Sequence, residues 1–346
     1  MPGTQTCAWV EKPAKDARVE IRSDHPMPAD PGHGEVLVKV EVTGVCHSDC
    51  HNIYGETPMH VHIAGHEGVG RIVKLGAGVD PGLMNKRVGL PWILKSCGDC
   101  EVCAVDPLCC PNQVNHGRNT EGCFQQYVLA PARDIPKLPE GLAAEIIAPL
   151  LCGGVTTYSA IKKANLRPGN FLVIPGAGGG LGHLGLQIAK AQGIQVIAID
   201  SGAEKRDLCK RLGAAHFIDF KDSDVVAKVK GITGMGAHAV VVVPGSPQAY
   251  EQALPMLRNR GVMVCVGLPN AEFAIKVRPI QMVVMGLTIV GSSVGSHNDM
   301  ADLIYLASQG VVVPEIEVYE FAQLEEVLQK LMRYEVKGRA VVRLPA

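Results

Sequence analysis

The chain has 346 residues, enough for two domains of ordinary size, and 47 % of them are hydrophobic, enough to fill two cores. Lys plus Arg (33) nearly balances Asp plus Glu (34), and a net charge of -1 argues against a nucleic-acid or anionic-membrane binder, because both need a basic surface. The opening Met1-Pro2-Gly3-Thr4 lacks a basic region followed by an apolar run, so a cytoplasmic chain is expected, and the uncharged stretches 171–189 and 279–298 read as buried strands and turns rather than membrane spans.

Taken in chain order, residues 1–150 are dense in Gly, Pro, Val and short alternating runs such as EVLVKVEV at 35–42. That pattern predicts mainly antiparallel β structure with long loops. From 171 to 291 the pattern changes. Six short apolar runs, at 171–175, 195–199, 216–219, 239–243, 262–266 and 287–290, alternate with amphipathic runs at 181–192, 203–212, 223–231 and 247–258. Such alternation predicts βαβ units and a doubly wound six-stranded parallel sheet, an α/β fold. Pro279 and its neighbours suggest an irregular link before the sixth strand. The tail predicts a helix at 298–308, a strand at 311–318, a helix at 322–333 and a strand at 340–344. The expected division is 1–153 with 292–346 as one domain and 154–291 as the other.

Gly176, Gly179, Gly180, Leu181 and Gly182 follow the first of the parallel strands and open a helix. Glycines there let backbone approach a pyrophosphate, and the helix N-terminus offers free N–H groups. The next strand ends at Asp200. A carboxylate at that point accepts hydrogen bonds from an adenosine ribose and repels a 2′-phosphate, which favours NAD over NADP. Lys205 and Arg206 keep NADP open.

Two groups of metal-binding side chains stand out among twelve Cys and twelve His. Cys97, Cys100 and Cys103 have CxxCxxC spacing, and either Cys109 or Cys110 can complete a closed tetrahedral zinc site. The gap to that fourth Cys does not suit a ferredoxin-type iron–sulfur run. Thiolate ligands and no export signal fit a reducing compartment. The second group is scattered: GVCHSDCH at 44–51, GHEG at 65–68 and LCGG at 151–154. An open catalytic zinc needs three protein ligands and a free position, and two thiolates with one neutral imidazole formally cancel its charge. Spacing alone does not select the three.

GVCHSDCH, GHEGVGRIV, CGDCEVC, LLCGGVTTY, GAGGGLGHLGLQIAKAQG and GRAVV occur in this order. Over essentially its whole length the chain resembles the zinc-containing medium-chain alcohol dehydrogenases, particularly the yeast and bacterial branch. The resemblance implies a GroES-like catalytic domain beside a Rossmann domain. It implies two zinc ions per chain, NAD, and reversible oxidation of a primary or secondary alcohol to an aldehyde or ketone. It implies Cys46, His66 and Cys152 as catalytic-zinc ligands, with Glu67 as an acid near the metal and Asp49 as the partner orienting His66. Ser48 is implied to take the alcohol proton and His51 to pass it outward. His47 and Arg339 are implied as pyrophosphate contacts, Lys205 as a ribose-side contact, and Trp92 as a wall of the substrate pocket. A homotetramer is implied as well.

Three departures qualify the resemblance. The gap from Cys103 to the Cys-Pro pair is one residue short, and Cys110, preceding Pro111, is preferred as the fourth structural ligand. The loop between His51 and His66 is about three residues short. Thr57 stands where the yeast enzymes carry a Trp that narrows the pocket. The last two suggest a reshaped pocket and, as an alternative, a pathway-specific dehydrogenase for a bulkier aromatic, polyol or secondary-metabolite alcohol. A non-catalytic nucleotide-binding protein is the reading from another class; the intact ligand set and Ser48 count against it.

Overall fold

The computed structural model describes residues 3–221 and 224–346. Two compact units divide the chain: Met1–Cys152 with Ser296–Ser308 and Pro314–Ala346, and Gly153–Gly295 with Gln309–Val313.

In the second unit, the central strands of the sheet have no polar face and are buried on both sides. Leu172, Val173, Ile174, Val196, Ile197, Val240 and Val241 have no exposed surface. All pairings are parallel, in the order His216–Asp219, Gln195–Asp200, Phe171–Pro175, Ala237–Val242, Leu257–Cys265, Thr288–Gly291. This is the doubly wound order, in which the chain starts at the centre and winds outward both ways. Helices Gly182–Ala191, Ala203–Leu212, Val225–Thr233 and Pro247–Met256 make the crossovers. The expected start of the third at Ser223 lies outside the described residues; Asp224 caps it by accepting from the Ala227 N–H at 3.0 Å. Where an irregular link is expected, Pro279–Met285 is a helix. Pro279 occupies the first turn, where its missing N–H costs nothing.

The first unit is built on a sheet ordered Ile316–Glu320, Arg339–Arg343, Glu35–Val45, Gly68–Leu75, Arg87–Leu90, with Tyr127–Pro131 also paired to Glu35–Val45. Only the first pair is parallel. Phe321, Leu324, Val327 and Leu328 of the tail pack in the same core as Val36, Val38, Ile53 and Ile72. The strand expected at 311–318 is shorter and later, because Pro314 interrupts it. Val313 instead gives its N–H and C=O to the Gln187 amide, at 2.9 and 3.0 Å, within the second unit.

Among the described residues no single helix is long and apolar enough to cross a membrane. The uncharged stretch at 171–189 is a strand, a turn and most of a helix; that at 279–298 is a helix, a strand and the first turn of another.

Candidate active site and metal centres

Strand Glu35–Val45 runs from the core of the first unit to Cys46, the N-cap of helix His47–Ile53. Asp49 closes that first turn, its Oδ2 accepting from the Cys46 N–H at 2.9 Å. Its Oδ1 accepts from the Gly65 N–H at 3.1 Å and faces His66 Nδ1 at 2.8 Å. One carboxylate thereby joins two distant segments and sets the His66 ring, with Asp49 and His66 both fully buried. The neutral tautomer carries its proton on Nδ1 and leaves Nε2 as an acceptor. Among the described residues, His66 Nε2 is buried and has no hydrogen-bond partner.

Around that orphaned nitrogen stand Cys46, Glu67 and Cys152, all buried, each with one ligand atom within 4.8 Å of the others and of His66. Burying such a set without a cation would be costly. Hydrogen bonding from Cys152, with the Arg339 guanidinium nearby, holds the Cys46 sulfur well below the usual thiol range against the opposing effect of burial. Burial pushes the Glu67 carboxyl up to about 7, while its ion pair with Arg339 pulls the other way. The approach needs a glycine: a Cβ on Gly44 would lie 1.8 Å from Glu67 Oε2. The donor set, two sulfurs and one imidazole nitrogen with a carboxylate at hand, fits zinc.

The neighbouring expected residues sit as follows. Ser48 Oγ is 3.7 Å from Cys46 Sγ. The Trp92 ring stands edge-on to His66 at 5.1 Å between centroids. His47 faces the His51 ring at 5.1 Å and stacks with Tyr334 at 5.5 Å, and burial holds its imidazole below the ordinary range. Thr57 is partly buried and donates its hydroxyl to Asn52 Oδ1 at 2.6 Å. Arg339, implied by the resemblance as a pyrophosphate contact, is 4 % exposed and paired with Glu67.

A second cluster lies in one loop of the same unit. Cys97, Cys100, Cys103 and Cys110 bring their sulfurs within 4.8 Å of one another. Cys97 is 3.8 Å from Cys103 and 3.5 Å from Cys110. A zinc–sulfur bond near 2.3 Å makes a tetrahedron with edges of roughly 3.8 Å, so the spacing fits a Cys₄ zinc. Cys109 is exposed and lies against Asp106 instead, 3.7 Å away.

In the second unit, Asp200 is 4 % exposed. Its Oδ2 accepts from the Gly178 N–H at 2.9 Å, and its Oδ1 meets the Ser201 N–H at 2.9 Å and Lys205 Nζ at 3.0 Å. The acid at the end of one strand thus holds the glycine turn at the end of the next. Gly176 has φ +68°, Gly179 donates back to the Gly176 carbonyl at 3.0 Å, and Leu181 caps the helix that opens at Gly182. A Cβ on Gly182 would meet the Gly176 oxygen at 2.2 Å. This tight turn feeding a helix N-terminus, with the partly buried Gly180 in it, is the cradle a dinucleotide needs.

Two residues beside the site escape sequence reasoning. Glu56 reaches back to His51, its Oε2 2.5 Å from Nδ1. His116 is fully buried; its backbone N–H donates to the Trp92 carbonyl at 3.0 Å and its ring Nδ1 lies 2.7 Å from the Pro91 carbonyl. Neither stands at helical or strand spacing from a ligand. Only the acid in the Gly55-Glu56-Thr57 turn hints at the first, and nothing hints at the second.

Two stretches of the chain match known families. Residues 32–140 match the alcohol dehydrogenase GroES-like domain, and residues 180–309 match the zinc-binding dehydrogenase family. An alcohol dehydrogenase of Schizosaccharomyces pombe is 40 % identical over 322 residues, covering 91 % of each chain. The crystal structure of the alcohol dehydrogenase of the archaeon Aeropyrum pernix superposes with TM-score 0.87 at 31 % identity, covering 98 % of this chain and all of that one. Acetophenone reductase from Geotrichum candidum, solved in complex with NAD, gives TM-score 0.87 at 29 % identity, covering 99 % of this chain and 98 % of that one.

Proposed function

This chain belongs to the zinc-containing medium-chain alcohol dehydrogenases and is an NAD-linked oxidoreductase of that family; from that premise we propose which of its residues do the work. The first unit is the catalytic, zinc-binding one and the second holds the dinucleotide. Cys46, His66 and Cys152 hold a catalytic zinc, and Cys97, Cys100, Cys103 and Cys110 a structural one. The observation that carries this is the buried His66 Nε2, without a hydrogen-bond partner among the described residues, set beside two sulfurs in the same buried cluster.

When bound, the zinc polarises the alcohol oxygen and NAD accepts the hydride. The protein's own groups supply the rest. Asp49 fixes the tautomer and direction of His66. Ser48 takes the alcohol proton and His51 releases it to solvent. Glu67 pairs with Arg339, whose guanidinium favours the thiolate of Cys46, and Arg339 with His47 is proposed also for the pyrophosphate. Gly176, Gly179, Gly180, Leu181 and Gly182 admit the pyrophosphate by close backbone approach. Asp200, with Lys205 beside it, favours the ribose hydroxyls of NAD over a 2′-phosphate. Trp92 forms one wall for the substrate. A cytoplasmic homotetramer belongs to the same reading and rests on the family resemblance and the thiolate clusters.

Absorbance of NADH is the direct test, with primary and secondary alcohols, aldehydes and ketones, using NAD and NADP, alongside zinc measured per chain. Turnover with NAD above that with NADP and two zinc ions per chain are expected. Fully metal-loaded protein that moves hydride to or from none of these substrates would overturn the assignment. A second reading, a bulkier natural alcohol, is favoured by the small Thr57, whose hydroxyl is engaged by Asn52. A kcat/KM for benzylic or polyol alcohols above that for ethanol supports it, and the reverse removes it.

A further inference from the structure

We infer that Glu56 is the positioning residue for the proton carrier His51, fixing its tautomer so that Nε2 is the atom that accepts the proton. The inference rests on the reading of His51 as that carrier.

The local chain geometry forces the encounter. Helix His47–Ile53 stops at Tyr54, and the chain folds back over its end. The Glu56 and Thr57 N–H groups both donate to the His51 carbonyl, at 2.9 and 3.0 Å. Thr57 is tied a second time through its hydroxyl to Asn52 Oδ1. Four residues of turn are thereby closed on one carbonyl, and the Glu56 carboxylate is delivered to the ring of the residue that owns it. Its Oε2 lies 2.5 Å from His51 Nδ1. A carboxylate only accepts, so Nδ1 must be the protonated nitrogen. Nε2 is then the lone pair.

The other groups around the ring do not compete for Nδ1. His47 faces it from the same helix at 5.1 Å, backed by Tyr334. Helix Leu324–Met332 packs on this one through Gln329 to Tyr54 and the Leu328 carbonyl to Cys50. Its acid Glu325 binds Gln329, Arg18 and the Val19 N–H. Among the described contacts, Glu56 is the one charged group on His51.

The chemistry follows in balance. A proton released by the alcohol arrives at Nε2, and the ring becomes an imidazolium while Nδ1–H stays on Glu56. The Glu56 carboxylate offsets the new charge. Water then removes the proton from Nε2, restoring the starting tautomer. Without Glu56 the neutral ring divides between two tautomers, and one of them has no lone pair where the proton arrives. The side chains are 22 % and 54 % exposed, so solvent moderates the effect.

The test uses the full-length, zinc-loaded enzyme with selectively ¹⁵N-labelled histidine, the His51 signals being those lost in His51→Gln. The wild type is expected to show the Nδ1–H tautomer and Glu56→Gln a mixture of both. Glu56→Gln is expected to lower kcat for alcohol oxidation by roughly five- to tenfold, below the 10²–10⁴ span of a whole acid–base catalyst, with KM for the alcohol unchanged. Glu56→Asp should recover most of it, and Glu56→Gln should add nothing to His51→Gln. Unchanged kcat in His51→Gln would refute the carrier reading itself. Slowed His51→Gln together with a Glu56→Gln protein of wild-type tautomer and kcat would overturn this inference alone.

Discussion

The two cysteine clusters of the first unit reach similar chemistry by opposite routes. Cys97, Cys100, Cys103 and Cys110 come from one short loop, and the first three are partly exposed. Cys46, His66 and Cys152 come from three distant segments and are buried in a core that exists apart from them. On the proposed reading a metal in the loop would take the place of a core, tying together four sulfurs that one short segment supplies. In the buried cluster, packing positions the ligands first, and Asp49 finishes the alignment. A metal at the first should therefore govern stability and a metal at the second should govern rate.

The sharpest way to break that contrast is Cys46→Ser. It is expected to remove one zinc per chain and lower kcat/KM by about a thousandfold or more, the several kcal/mol that a metal contributes to the barrier. Thermal unfolding should barely move; a large fall in the melting temperature would show that the buried cluster is structural. Cys100→Ser should do the reverse, costing on the order of 3–4 kcal/mol. Residual activity measured before the protein inactivates should stay near wild type, and inactivation at raised temperature should accelerate. Equal inactivation rates would end the distinction.

His116 offers a third comparison, a buried imidazole outside both clusters. Burial pushes it down to about 4, with the Pro91 carbonyl pulling upward less strongly. The unfolded chain binds its proton below about 6.5 and the folded chain only below about 4, so stability should fall as pH drops through that window. The full loss is about 3 kcal/mol. Urea unfolding of wild type and His116→Asn at pH 7 and pH 5 should show about 2 kcal/mol of it in the wild type alone; parallel behaviour of the two would refute it. A smaller effect is expected of Asp49→Asn, which keeps the shape but weakens the hold on His66. A 10- to 100-fold loss of zinc affinity or kcat/KM is expected, read by metal competition and by initial rates. Unaltered affinity and rate would show that packing alone sets the imidazole.

Sequence reasoning reached different depths in these regions. The central strands of the second unit are legible because Phe171–Pro175, Gln195–Asp200 and Ala237–Val242 are largely apolar runs, and burial on both faces demands that composition; the edge strands are recognised by their place in the alternation. Pro279–Met285 is misread because proline signals both a break and a helix's first turn. The strand after Pro314 is misplaced because Val311-Val312-Val313 has a strand's composition, while the Gln187 amide claims Val313 for the other unit. At the candidate site, Asp49, His66 and Cys152 are named through the order of motifs, not through any local signal. The pairing of Arg339 with Glu67, and of Glu56 with His51, has no counterpart in spacing at all.

What the sequence by itself determined is whatever the chain geometry enforces over a few residues: the alternation of strands and helices, the tight glycine turn before Gly182, and three thiols at CxxCxxC spacing. Those follow from backbone dihedrals and the reach of a short loop. Only the tertiary structure decided that Cys110 and not Cys109 joins the loop cluster, that Arg339 meets Glu67, and that His66 Nε2 is left without a partner among the described residues. Such contacts depend on closing long loops against a packed core, and their cost is repaid by burial summed over many residues, so no short segment encodes them.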